Sequence, residues 1–337
     1  MYSFSNYSKS LKNDWFLIAN EEVSSCINAQ DEFFLEKNEA YNLIIYKDDK
    51  KGRMPVAIFA SNGIDSKIKG LIRVLDANSG GLFIKKTLLR ESAQIKLFLS
   101  QEIIINYFKK EMGVDFIHFM YPALSAIEKS DMNFISNPMR YSYVNNNSML
   151  YLDLSDDFIQ KLKLIPRQEI RKGLKFIEKN SFINEKNEDT LEYFNYLDNI
   201  KSKRLSIDPL SPQYFKGLID SEFYNVVICI DKNTSLPIGG FIYSLVGVVG
   251  DSIYIAGTDV ERKHCVNKGL TYLAMEACKA LGAKYFITGH GYTDGNMAAV
   301  TKYHRSISTN EVTSGMFRSP ISFKAQLYTC LLLFKKQ

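Results

Sequence analysis

The chain has 337 residues, 46% of them apolar and 23% charged, and a net charge of +5. That length suggests two domains with cores of their own, and the composition excludes a disordered chain. Apolar runs such as "LYTCLLLF" are too short to span a bilayer, the first residues lack the apolar centre of a secretory signal, and five scattered cysteines form no zinc or disulfide pattern. These features predict a reduced, cytoplasmic protein without a metal, and the mild positive charge permits an anionic ligand.

In the first half, "YNLIIY" and "PVAIFA" read as strands around the turn "DDKKGRM". A helix is expected from about Glu91 to Met112, stopped by Gly113, and "VDFIHFMYP" then reads as a strand. In the second half, "YNVVICI", "IGGFIYSLVGVV" and "SIYIAGTDV" form an expected antiparallel meander, its second turn at Gly250-Asp251. Leu270, Leu273, Ala274, Ala277, Cys278 and Leu281 make one apolar helix stripe that ends at Gly282. "AKYFITGHG" resumes as a strand, and "GNMAAVTKYHRS" reads as a short helix. Strand, helix and strand of this length imply a parallel crossover. "FKKEMGVDFIHF" echoes "CKALGAKYFITG", so the chain reads as two copies of one mixed α/β unit, residues 1–148 and 149–337, with the last helix free to pack back on the first.

The segment "VERKHCVNKGL" precedes the apolar helix. Its Gly269, beside Lys268 and Leu270, would let an anion approach free N–H groups at a helix start. Asn296, Ala299 and Tyr303 then follow the pattern N-x-x-A-x-x-x-Y. This combination resembles the GCN5-related N-acetyltransferase (GNAT) superfamily from about Tyr224 to Ser308. The family's glycine-rich loop survives here only as Lys-Gly-Leu. "LYLDLS" followed by "RQEIRKG", with Lys302 in the tyrosine helix, is similar to FemAB-like proteins, which are tandem GNAT-fold enzymes. That resemblance implies catalysis in the second unit alone, with the first walling the acceptor cleft.

The resemblance also implies roles. The backbone of Asp259 and Val260 would meet an acyl-CoA's pantetheine, Lys268 to Leu270 would hold its diphosphate, and Asn296 would complete the cofactor site. Tyr303 would protonate the leaving thiolate. His290 titrates in the right range for a base, with Asp294 and Asp259 as rivals; His264 and His304 are expected to face solvent, and His118 to lie in a strand. Arg167, Arg171 and Lys175 form a basic stripe suited to phosphate; these arginines, Lys302 and Tyr292 are the candidate acceptor contacts.

The implied reaction is N-acylation of a nucleotide-linked amino sugar (dTDP- or UDP-) for a surface polysaccharide, with acyl-CoA as co-substrate and neither membrane nor nucleic acid as partner. A FemX-type transferase using aminoacyl-tRNA and a peptidoglycan precursor is the alternative, and a non-catalytic binding module on the same scaffold is another. Monomer and homodimer stay open.

Overall fold

The computed structural model describes residues 2–19, 41–50, 52–61, 63–67, 71–77, 81–84, 107–120, 142–155, 157–291 and 298–327. The expected helix over 91–112 falls largely outside them, as do Tyr292, Asp294 and Asn296. The chain divides into two compact units, residues 1–147 with 313–337, and residues 148–312.

Unit 1 contains β1 (Tyr2–Asn6), α1 (Lys12–Ala19), β2 (Leu43–Asp49), β3 (Gly52–Ala60), β4 (Gly63–Lys67), β5 (Ile72–Ala77), β6 (Gly81–Ile84) and β7 (Phe116–Met120). Strands β1, β2, β3 and β6 form an antiparallel sheet. Trp15 and Ile18 of α1 pack there against Ile44, Tyr46 and Ile58, all essentially without solvent contact. β4 and β5 form an antiparallel pair, and β5 runs parallel to β7.

Unit 2 opens with β8 (Ser142–Asp153), whose residues from Ser148 onward belong to it, and continues with α2 (Leu164–Ile177), β9 (Ser181–Ile183), α3 (Glu188–Leu205) and α4 (Pro212–Asp220). The meander follows as β10 (Tyr224–Ile230), β11 (Pro237–Val246) and β12 (Val249–Gly257). Its second turn falls at Gly247-Val248 rather than at Gly250-Asp251, because Gly247 takes the positive φ (58°) and Val246 already pairs with Val249. Next come α5 (Asp259–His264), α6 (Val266–Ala280), β13 (Tyr285–Gly291) and α7 (Ala298–Ser306). Leu270, Ala274 and Cys278 of the predicted stripe join Phe241 and Phe286 in the core.

The last strand, β14 (Asn310–Pro320), pairs antiparallel with β7 from Met316 to Pro320. This pairing accounts for the grouping of residues 313–337 with unit 1. The half-chain echo is visible in the ladders. β5 lies parallel to β7, which pairs antiparallel with β14; β12 lies parallel to β13, which pairs antiparallel with β8. Gly113 and Gly282, each just ahead of its strand, both have positive φ.

Candidate functional site

Unit 2 has a fork in its sheet. β12 and β13 pair only at Val249–Tyr285, Gly250–Phe286 and Asp251–Ile287. Beyond that point β13 stays with β8, through a register shift between Ile287 and Gly289, while Ser252 to Gly257 of β12 have no partner on that side among the described residues. Backbone groups on the open edge of β12 are therefore available to an extended ligand, which could add to the sheet as a further strand does.

Tyr303 of α7 reaches α6, where its hydroxyl lies 3.0 Å from Thr271 Oγ1. Thr271 donates its own proton to the Asn267 carbonyl (2.8 Å), so the threonine oxygen accepts and the phenol donates. Burial pushes the Tyr303 phenol well above its ordinary value, with the charges of Glu261, Cys265 and Glu169 acting the same way. The group is a fixed, protonated donor.

The start of α6 departs from expectation. Residues 259–264 form the short helix α5 instead of a loop, with Thr258 accepting from the Glu261 N–H. The side chain of Asp259 is exposed and pairs with Arg262, and Val260 is also exposed, so neither lies on the forked strand. The strand ends at Gly257. Cys265, at φ 58°, links α5 to α6. The amides of Lys268 and Gly269 both donate to the Cys265 carbonyl, at 3.2 and 3.3 Å, and Leu270 is fully buried. The amides of Lys268 and Gly269 are thus already engaged within the first turn, and the expected free N–H groups are not there.

Nor is the seat in front of α6 open. Glu261, 8% exposed, places Oε1 3.2 Å from the Asn267 N–H, so a carboxylate of the chain holds the position a phosphate would take. Gly239 and Gly257 make room for it, since a Cβ on either would crowd Glu261 Cγ. Burial raises the Glu261 pKa, against the Asn267 N–H and the charges of Arg204, Arg262 and Lys268. Gly269 serves a helix crossing. A Cβ there would sit 2.9 Å from Ile177 Cδ1 and 3.0 Å from the backbone of Gly173, and one on Gly173 would run into the Cys265 carbonyl. Lys268 turns to Glu169 of α2, forming an ion pair. The residues present do not fit a coenzyme A diphosphate at this helix start.

His290 lies at the end of β13, half-buried, with its pKa lowered by burial. His304, expected at the surface, is 8% exposed; its ring lies flat on Gly289, whose φ of 148° and missing Cβ make the space. Its Nδ1 is buried without a hydrogen-bond partner among the described residues, and burial and the neighbouring His290 lower its pKa to about 4. His264, also expected at the surface, is half-buried and stacks on Phe176 at 4.2 Å. His118 lies in β7 of unit 1.

Sequence reasoning passed over Asp251, whose carboxyl is pushed up to about 7 by burial. It is felt by Cys278, seven residues along α6 from Thr271. Seven residues of helix span about 10 Å, which puts Asp251 at the closed end of the fork, away from Tyr303. On α2 the basic stripe is real: Arg171 and Lys175 are exposed, while Arg167 is half-buried and donates to Gln160. Lys302 is exposed on α7.

Among the described residues no cluster of three or more His, Cys, Asp or Glu could hold a metal ion, and no helix is long and apolar enough to cross a membrane. No family model and no curated protein matches the sequence. Solved structures do. FemX aligns over 97% of this chain and 99% of its own with a TM-score of 0.65 at 11% identity. L-PGS from Bacillus licheniformis aligns over 86% and 88%, with a TM-score of 0.54 at 10% identity. A tandem GNAT protein from the clavulanic acid biosynthesis pathway aligns over 96% and 99%, with a TM-score of 0.51 at 9% identity. The chain has the tandem GNAT fold.

Proposed function

We propose that unit 2 is an acyl or aminoacyl transferase that acts on a primary amine. The observation that carries this reading is the fork; Tyr303, protonated and hydrogen-bonded to Thr271 of α6, would be the proton source once it turns from the threonine to the leaving atom. The donor's carbonyl would lie along the open edge of β12. The amine nitrogen attacks the carbonyl carbon and forms the new C–N bond, the bond to the leaving oxygen or sulfur breaks, and the leaving atom takes the Tyr303 proton. The nitrogen's extra proton passes to a base or to water.

Two features favour an aminoacyl ester donor over an acyl thioester. The diphosphate seat of α6 is filled by Glu261. The Tyr303 phenol is a weaker acid than usual, which suits an alkoxide leaving group better than a thiolate, whose conjugate thiol titrates near ~8.5. The second reading keeps acyl-CoA as donor and a nucleotide-linked amino sugar as acceptor; the exposed Arg171 and Lys175 of α2 favour such an anionic acceptor.

Label transfer decides between them. Purified protein is given either mixed aminoacyl-tRNA with labelled amino acids, or a panel of acyl-CoA esters, each with nucleotide amino sugars and peptidoglycan precursors as acceptors. Transfer from the ester supports the first reading. Transfer from thioesters alone refutes it and supports the second, and no transfer from either removes the enzyme.

A further inference from the structure

Lys201 of α3 stands over the face of the Tyr254 ring, its Nζ 4.1 Å from the centroid. Tyr254 belongs to the forked part of β12, and its ring is fixed edge-on by Phe215 at 5.0 Å and Phe194 at 6.1 Å. Its hydroxyl donates to Asp198 Oδ1 at 2.6 Å, while Asp198 Oδ2 accepts from the Leu210 N–H at 2.7 Å. Both oxygens of the nearest carboxylate are thus engaged elsewhere. Among the described residues no oxygen accepts a hydrogen bond from Lys201 Nζ, although the residue is half-buried and an ammonium has three donors.

One turn on, Arg204 donates to the carbonyl of Gly257, the last residue of β12, at 3.2 Å. The groups that face Lys201 come from three elements: Asp198 and Arg204 of its own helix, Tyr254 of β12, and His304 of α7, which feels its charge. A partly dehydrated cation, seated over the Tyr254 ring and without a hydrogen-bond acceptor among the described residues, therefore borders the open edge. Its pKa is lowered by burial, with Asp198 opposing and Arg204 assisting, which is the condition an incoming anion relieves.

We infer that Lys201, seated on the Tyr254 ring, receives an anionic oxygen of the acceptor, a carboxylate or a phosphate, beside the fork of unit 2. The site assigns the acceptor to the α3 side of the sheet. Only its link to an acceptor rests on the transferase reading; anion binding does not. Arginine at position 201 would keep the charge, and methionine would keep the stem.

Competitive labelling of the full chain with acetic anhydride, read by mass spectrometry, tests it with inorganic phosphate and with acetate as separate probes. Protection of Lys201 by either anion, about tenfold at ten times the dissociation constant, is expected, with exposed Lys232 unaffected as a control. Equal labelling of Lys201 with and without both anions overturns the inference. Protection by phosphate alone or by acetate alone names the source. If a transfer assay is in hand, Lys201→Met should raise the acceptor KM by about 10- to 100-fold with kcat little changed, and Lys201→Arg should restore part of it. Because the methionine variant loses a half-buried charge, its melting temperature should not fall. A lower melting temperature with an unchanged KM would make Lys201 a packing residue. Protection without any transfer would leave the anion site standing and remove the transferase.

Discussion

Gly269 offers the sharpest test, because two readings of it predict opposite outcomes. As a phosphate cradle, Gly269→Ala would leave the fold intact and weaken the donor. As a helix crossing, it should destabilise unit 2. The new Cβ would fall 2.9 Å from Ile177 Cδ1, a side-chain end that can turn aside, but also 3.0 Å from the Gly173 carbonyl carbon and the Leu174 nitrogen, which are backbone. Overpacking of that kind costs about 1–3 kcal/mol, and alanine returns up to about 1 kcal/mol of helix propensity. The net loss is about 0–3 kcal/mol, or up to several degrees in a unit of this size. Gly173→Ala should lose more, since its Cβ meets the Cys265 carbonyl oxygen itself while the propensity gain is the same. The chain's one tryptophan, Trp15, reports on unit 1, so hydrogen exchange of α2 and α6 amides is the proper measure for unit 2. Faster exchange there, in the order Gly173→Ala above Gly269→Ala, with the Trp15 transition unchanged, is expected. Native exchange in Gly269→Ala together with a raised donor KM would refute the crossing argument.

Tyr303→Phe should lower turnover by about 10²- to 10⁴-fold with little change in donor affinity, and turnover within a few-fold of the parent would demote the phenol to packing. His304 has a folded pKa of about 4 against an ordinary 6.5, so its contribution is fully present above pH 6.5 and is lost as pH falls toward 4. Relative to His304→Phe, the parent should lose on the order of 3 kcal/mol across that window; a pH-independent difference in urea unfolding would contradict the buried neutral imidazole. Glu261 is raised instead, so its ionisation burdens the fold at neutral pH and the burden lifts on acidification. Glu261→Gln should therefore be at least as stable as the parent at pH 7, with the two converging by about pH 4.5; a clearly weaker variant at pH 7 would show the charge to be needed at the start of α6.

The elements that sequence made legible are those whose periods are strong. Leu270, Ala274 and Cys278 mark the buried face of α6, and the β-branched run Tyr224–Ile230 marks β10. The short helix α5 carried a signal that the reading missed: Thr258 and Glu261 stand three apart, as in a capping box. The structure uses half of that box. Thr258 accepts from the Glu261 N–H, but the Glu261 carboxylate turns forward to Asn267 instead of back to Thr258. Gly173 and Gly269 could not be paired from sequence, because each is one glycine in a helix until the helices are known to cross. The fork leaves even less trace. It follows from a parallel ladder that stops after three pairs, and only Gly289, inside a strand and next to the shift, hints at it. Lys201 and Tyr254 lie 53 positions apart on different elements, beyond any local pattern.

The same geometry separates two properties that the sequence resemblance had joined. An extended donor needs the open edge of β12, while a diphosphate needs free amides at the start of α6, and unit 2 keeps the first without the second. For a diphosphate to bind there, it would have to displace the Glu261 carboxylate from the Asn267 N–H and leave that carboxylate buried and unpaired. Leaving one buried group unsatisfied costs about 1–3 kcal/mol, more for a charged one, so affinity through that seat would fall by about tenfold to more than a hundredfold. A donor bound by its carbonyl and chain along β12 would be spared this penalty. Under the proposed reading, selection among donors would be set by an internal carboxylate, and the terms that hold an acyl group need not be the terms that hold its carrier.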